Sequence, residues 1–282
     1  MIEISNLTFC YKRVPVFQNI SLTFKPGFIY GLLGENGVGK TTLFKLICGL
    51  QRPQQGSCHV DLFNPADRDP LFLQNIVFLP DAMALPEDKT PLHYVNELRP
   101  FYPTFSQEQF LALMQELEVD PKRKFNEMSL GQQKKSLIAC ALSLGTEYIL
   151  LDEPTNGLDI PSKAQLRSIL AKRMQDTTTI IIATHQVRDV ENLIDPIIIL
   201  TMDDVLLNAS ISEIGQKLHF EYGSAQNPEA LYSEAQPGGY LNVVKNDSLG
   251  ESQVNIEALF NTVLRNKKTI KEMFSTKGGL YE

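Results

Sequence analysis

The stretch Gly34-Glu35-Asn36-Gly37-Val38-Gly39-Lys40-Thr41, with Thr42 after it, carries the residue types that a phosphate-binding loop needs. Its glycines let backbone N–H groups turn inward around an anion, and a helix starting directly behind them adds positive potential. Lys40 supplies a charge for the β- and γ-phosphates, and the Thr41 hydroxyl is placed for Mg2+. A second signal lies 112 positions beyond Lys40, where the apolar run Tyr148-Ile149-Leu150-Leu151 ends in Asp152-Glu153. A carboxylate at the C-terminal end of a buried parallel strand sits where α/β sheets bind ligands. Asp152 can hold Mg2+ there through water, and Glu153 can orient or deprotonate an attacking water. The third signal is Met128-Ser129-Leu130-Gly131-Gln132-Gln133-Lys134-Lys135. It opens a helix with Ser129 in the N-cap place, so that N–H groups and the helix dipole are presented to an anion.

The elements that position these residues follow from hydrophobic spacing. Strand-like segments cover residues 2–9, 20–24 and 28–33, and the last runs into the glycine-rich loop. Residues 41–50 have helical spacing at Leu43, Phe44, Leu46, Ile47 and Leu50, and a turn at 52–56 closes the unit. From about residue 88 to 144 the pattern is helical, with helices predicted over 92–98, over 106–117 with Ser106 as its N-cap and Gln109 at N3, and over 130–144. Near-continuous apolar strands return at 148–151 and 179–183, separated by a helix over 162–174. Such strands with helices between them predict a buried parallel sheet. Residues 196–200 and 205–209 form a hairpin joined by Thr201-Met202-Asp203-Asp204. The stretch from about 221 to 252 is polar and gives no readable pattern, and one last helix is predicted over 256–274.

Taken with Pro154-Thr155-Asn156-Gly157-Leu158-Asp159 and Thr184-His185, the three signals resemble the ATP-binding cassette (ABC) family over about residues 1–209. The resemblance implies an α/β P-loop NTPase fold with a mixed central sheet, an antiparallel β-subdomain and a helical insert subdomain at about 88–145. The ABC ATPase domain would span 1–210 and a small C-terminal extension 211–282. ATP would be held by Gly34, Glu35, Asn36, Gly37, Val38, Gly39, Lys40, Thr41 and Thr42, with Tyr11 stacking on adenine. Glu153, His185 and Asp81 would be the catalytic residues, His185 donating to the γ-phosphate. Thr41, Asp152 and Asp81 would serve Mg2+. Ser129, Gly131, Gln132 and Asp159 would reach the ATP of a partner subunit, so two cassettes, identical or different, close on two ATP molecules and loosen after hydrolysis. Two positions depart from the family pattern: Asp81 stands where a longer glutamine or glutamate is usual, and Leu130 replaces the first glycine of the signature.

Composition bounds the alternatives. The 282 residues carry 26 Lys and Arg against 33 Asp and Glu, a formal charge of -7 that argues against a nucleic-acid partner. With 43% hydrophobic residues the chain can bury a sizeable core. No run approaches the 18 to 20 apolar residues of a membrane span, and the start lacks a secretory signal, which gives a cytoplasmic expectation. Cys10, Cys48, Cys58 and Cys140 show no C-x-x-C pair and read as reduced structural thiols. Residues 101–106 through 120–124 are similar to the insert of exporter-type cassettes made as separate polypeptides. The resemblance therefore implies an ATPase subunit at the inner face of the cell membrane, powering a separate transmembrane permease whose contact is expected at 81–102. The opposing class is a soluble cassette ATPase acting on ribosomes or DNA. It fits less well, because there is a single motif set and no long coiled-coil insertion.

Overall fold

The structure, a computed structural model, describes residues 1–82, 84–202, 204–247 and 250–274. Asp203 of the expected 201–204 turn and the end of the extension, from residue 275, lie outside the described residues.

The chain opens on an antiparallel hairpin of β1 (Ile2–Tyr11) and β2 (Val14–Phe24), with Phe9 opposite Phe17. β3 (Phe28–Leu33) then leads through the glycine-rich loop into α1 (Lys40–Ile47). β4 (Gln55–Val60) returns to β1 and completes a three-stranded sheet in the order β2-β1-β4. A short α2 (Pro70–Leu73) precedes β5 (Ile76–Leu79). The helical stretch comprises α3 (Pro91–Leu98), α4 (Gln107–Glu116) and α5 (Leu130–Ser143), and Ser106 and Ser129 cap the last two as their sequences predict. β6 (Tyr148–Asp152), α6 (Ile160–Arg173) and β7 (Thr179–Thr184) follow, then β8 (Ile197–Leu200) and β9 (Val205–Ala209).

The central sheet has the order β5-β6-β7-β3-β8-β9, parallel throughout except for the edge strand β9. Its strands lack an apolar–polar alternation because both faces are covered. Alternate residues enter two separate cores. Ile149, Leu151, Ile180 and Ile182 pack with the insert helices and α6. Leu150, Ile181 and Ala183 pack with the hairpin sheet and α1. Each fully buried aliphatic side chain contributes about 1.5–3 kcal/mol, so the sheet is a stiff platform for whatever projects from its C-terminal edge.

The polar stretch without a readable pattern is an ordered three-stranded antiparallel sheet. After α7 (Ile211–Lys217), β10 (Leu218–Gly223), β11 (Tyr232–Gln236) and β12 (Gly239–Lys245) assemble in the order β10-β12-β11. The single terminal helix expected over 256–274 is instead α8 (Ile256–Arg265) and α9 (Lys267–Phe274). Asn266 breaks it by donating its side-chain amide to the carbonyls of Thr262 and Leu231. Leu259, Val263 and Ile270 join the same core as the insert helices, and Arg188 pairs with Glu257 at 2.5 Å. Cys48, Cys58 and Cys140 are buried free thiols, with burial pushing Cys58 up to about 12. No helix among the described residues is long and apolar enough to cross a membrane.

Candidate active site

The segments that carry the three chemical signals end or follow neighbouring strands. β7 lies between β6 and β3, so Asp152-Glu153, Thr184-His185 and the loop from Gly34 leave one edge of the sheet side by side. Gly39 forms the N-cap of α1 with φ +106°, and no side chain among the described residues caps that helix. Its first-turn N–H groups are therefore left for an anion. A Cβ on Gly39 would stand 2.7 Å from Val16 and from Phe17 of β2. Gly39→Ala is expected to cost about 1–3 kcal/mol and lower the melting temperature by about 3–10 °C, with nucleotide affinity falling alongside; a thermal melt checks this.

Lys40 is buried and donates to the carbonyls of Gly34 at 2.7 Å and Glu35 at 3.1 Å. Burial lowers its pKa, opposed by the charges of Glu153 and Asp152. Thr41 Oγ1 donates to Asp152 Oδ2 at 2.5 Å. A hydroxyl oxygen and a carboxylate oxygen so close together are hard donors that suit Mg2+ with its retained waters. Burial raises the Asp152 pKa, and the Thr41 hydrogen bond pulls against it.

Glu153 adopts φ +47°, a left-handed conformation uncommon for a residue with a side chain. Its own N–H holds the carbonyl of Ala183 at 2.8 Å, which fixes this bend onto β7. The carboxylate is buried and accepts from Thr184 Oγ1 at 2.8 Å, from the His185 backbone N–H at 3.0 Å and from His185 Nδ1 at 2.6 Å. With Nδ1–H given to Glu153, His185 can donate a second hydrogen bond only through Nε2–H, which requires the imidazolium. The ring is 39% exposed, so Nε2 is open to a ligand.

Asp81 is engaged elsewhere. Its Oδ1 accepts from Lys134 Nζ at 3.2 Å and from Asn156 Nδ2 at 3.3 Å. Asn156 Oδ1 in turn accepts from Gln186 Nε2 at 2.9 Å. Ser129 and Gln132 form a reciprocal capping box, Ser129 Oγ accepting from Gln132 N–H at 3.3 Å and Gln132 Oε1 from Ser129 N–H at 3.1 Å. Among the described residues none accepts the Ser129 hydroxyl proton, which leaves it for an outside anion. Gly131 approaches the Gly157 carbonyl, and Asp159 caps α6 by accepting from the Ser162 N–H; the Ser162 hydroxyl first, and this N–H after it, hold the Asp159 pKa low. Among the described residues no hydrogen bond joins residues 129–132 to residues 34–42. Leu130 and Ile160, beside these two turns, are 80% and 82% exposed. Tyr11 ends β1 exposed, edge-on to Phe9 at 4.9 Å.

Sequence reasoning did not single out Thr184, Lys134, Asn156 or Gln186 for these contacts. Thr184 carries the same signal as Asp152, a polar residue closing an apolar strand. Lys134 stands one turn before Leu137 and Ile138, a charge on the core-facing stripe of α5 that needs a partner.

A family model described as ABC transporter matches residues 17–156. The Bacillus subtilis ABC transporter ATP-binding protein YtrB is 31% identical over 68% of this chain and 66% of its own length. The bacitracin transport ATP-binding protein BcrA of Enterococcus faecalis is 30% identical over 77% of this chain and 71% of its own. The chain belongs to the ABC transporter ATP-binding proteins. It is an ATP-binding and ATP-hydrolysing subunit of that family, with the mixed-sheet P-loop fold the sequence leads one to expect. A solved structure described as the dimeric MJ0796, a bacterial ABC transporter cassette, is 26% identical and superposes with a TM-score of 0.66 over 74% of this chain and 98% of that one. The same cassette is also described in a dimeric post-hydrolysis state bound to ADP and Pi.

Proposed function

We propose that this ABC ATPase drives an export permease by closing as a dimer on two ATP molecules and reopening after hydrolysis. The observation that carries the reading is the side-by-side exit of Lys40, of the Thr41–Asp152 pair and of the Glu153–His185 pair from adjacent strands. Gly34, Glu35, Asn36, Gly37, Val38, Gly39, Thr41 and Thr42 line the phosphates, and Tyr11 stacks on adenine. Thr41 and Asp152, with Asp81 beyond them, would hold Mg2+, which would supply neutralisation of the phosphate charge. Lys40 exchanges its two carbonyl bonds for phosphate oxygens. Glu153 takes a proton from the attacking water, and His185, held by Glu153, gives Nε2–H to the γ-phosphate as the O–P bond to ADP breaks.

Ser129, Gly131, Gln132 and Asp159 serve the partner's nucleotide in this reading. Support comes from the free hydroxyl proton of Ser129, from the lack of bonds between these residues and their own phosphate loop among the described residues, and from the dimeric likeness of MJ0796. Export is supported by the insert and by the bacitracin transport described for BcrA. Residues 1–210 act as the cassette and 211–282 as an extension, at the inner face of the membrane. The test is ATP hydrolysis by the purified chain with Mg2+, followed by co-purification with the membrane protein of the neighbouring reading frame. Absence of Mg2+-dependent hydrolysis would sink the mechanism, and the lack of any membrane partner would sink export. Ser129→Arg, on an exposed cap, is expected to leave ATP affinity within about threefold and to cut turnover at least tenfold, read by nucleotide binding beside phosphate release.

A further inference from the structure

We propose that Lys134 is a positioning residue that holds Asp81 away from the nucleotide's cation, so that the cation and Lys134 compete for one carboxylate. The inference rests on the reading of the phosphate loop as an ATP and Mg2+ site. Lys134 belongs to α5, the helix opened by Ser129, and its side chain is 8% exposed. A buried ammonium needs a partner, and this one has the Asp81 carboxylate and the Asp81 carbonyl, both at 3.2 Å. Asp81 itself is 47% exposed, so packing confines it less than it does Lys134. It leaves β5 at the same sheet edge as Asp152, because Leu79 pairs with Leu151 in the parallel β5–β6 ladder.

The second observation is what else Asp81 holds. Asn156 donates to the same Oδ1, and Asn156 accepts from Gln186, the residue after His185. Through Asp81, the signature helix is therefore tied to the turn after β6 and to the segment that carries His185. A cation that draws Asp81 inward must break the Lys134 and Asn156 contacts together. Arrival of the metal then uncouples α5 from the His185 segment, and departure restores the tie.

Removing Lys134 relieves the competition and favours the cation. A through-space effect of deleting a positive charge would act whether or not Asp81 is ionised, which is what a double-mutant cycle separates.

The chain contains no Trp, so a fluorescent ATP analogue that resists hydrolysis reports binding without tryptophan emission, titrated with MgCl2. Lys134→Met is expected to lower the half-saturating Mg2+ about three- to fivefold, the strength of a partly exposed ion pair. Lys134→Arg should stay within about twofold of the unmodified chain. Asp81→Asn should need more Mg2+, and adding Lys134→Met to it should change nothing further. The inference is overturned if Lys134→Met leaves the Mg2+ requirement unchanged, or shifts it equally in the Asp81→Asn background. If Lys134→Met does not fold, Lys134→Gln carries the same comparison. Failure of the unmodified chain to bind the analogue at any Mg2+ concentration would instead overturn the nucleotide reading.

Discussion

Glu153→Gln is expected to reduce ATP turnover by about 10²- to 10⁴-fold while leaving nucleotide affinity within about threefold. The fold should tolerate the change. Oε1 of the new amide can keep both bonds from His185, and its NH2 can donate to the Thr184 hydroxyl, which now donates to Glu153 at 2.8 Å. What is lost is the proton acceptor and the negative charge that keeps His185 Nδ1–H in place. ATP then stays intact between two closed subunits, and the variant should elute as a dimer with ATP and as a monomer with ADP. Phosphate release and size-exclusion chromatography read the two halves of this expectation. Turnover above a tenth of the unmodified rate would remove Glu153 from the chemistry.

Lys40→Met is expected to weaken nucleotide binding about 10²- to 10³-fold, since a charge-assisted contact to phosphate is replaced by an apolar stem. Stability should move the other way. Burial puts the Lys40 pKa below its ordinary 10.5, so the ionised group costs stability at neutral pH, and that cost fades only as the pH rises through the folded value toward 10.5. Met carries no such cost and fills a similar volume. The variant without nucleotide should therefore melt no lower than the unmodified chain, and nucleotide should no longer raise its melting temperature. A variant that binds normally, or that melts lower without ligand, would show that Lys40 holds the loop rather than the phosphate.

The parts of the molecule that the sequence discloses are those whose physics is local. Gly34 to Thr42 declares itself because backbone curvature, lysine and hydroxyl must sit at fixed spacing, and Tyr148 to Glu153 because a doubly buried strand has to be apolar until its end. Ser106 and Ser129 are legible as caps for the same reason. The sheet of β10, β11 and β12 is not legible, because its buried residues, Leu218, Tyr232, Leu241 and Val243, are set among turns and polar partners such as Asn242. Asn266 hides the break between α8 and α9, since the apolar period continues across it while its side chain leaves for Leu231. The Asp81–Lys134 contact spans 53 residues and depends on how α5 lies against the end of β5, which no spacing rule encodes.

The strand order also governs how the molecule comes into being. β3, which delivers the phosphate loop, pairs with β7 and β8 rather than with any strand close to it in the chain. Roughly 150 residues separate it from those partners, about 8 to 30 s of ribosomal synthesis. Over that interval the β3 end of Gly34 to Thr42 lacks its neighbours in the central sheet, and Glu153 has no Ala183 carbonyl to hold its bend. A nascent chain is thus unable to grip nucleotide until residues 179–200 have left the ribosome, and a truncated product from an interrupted message cannot compete for cellular ATP.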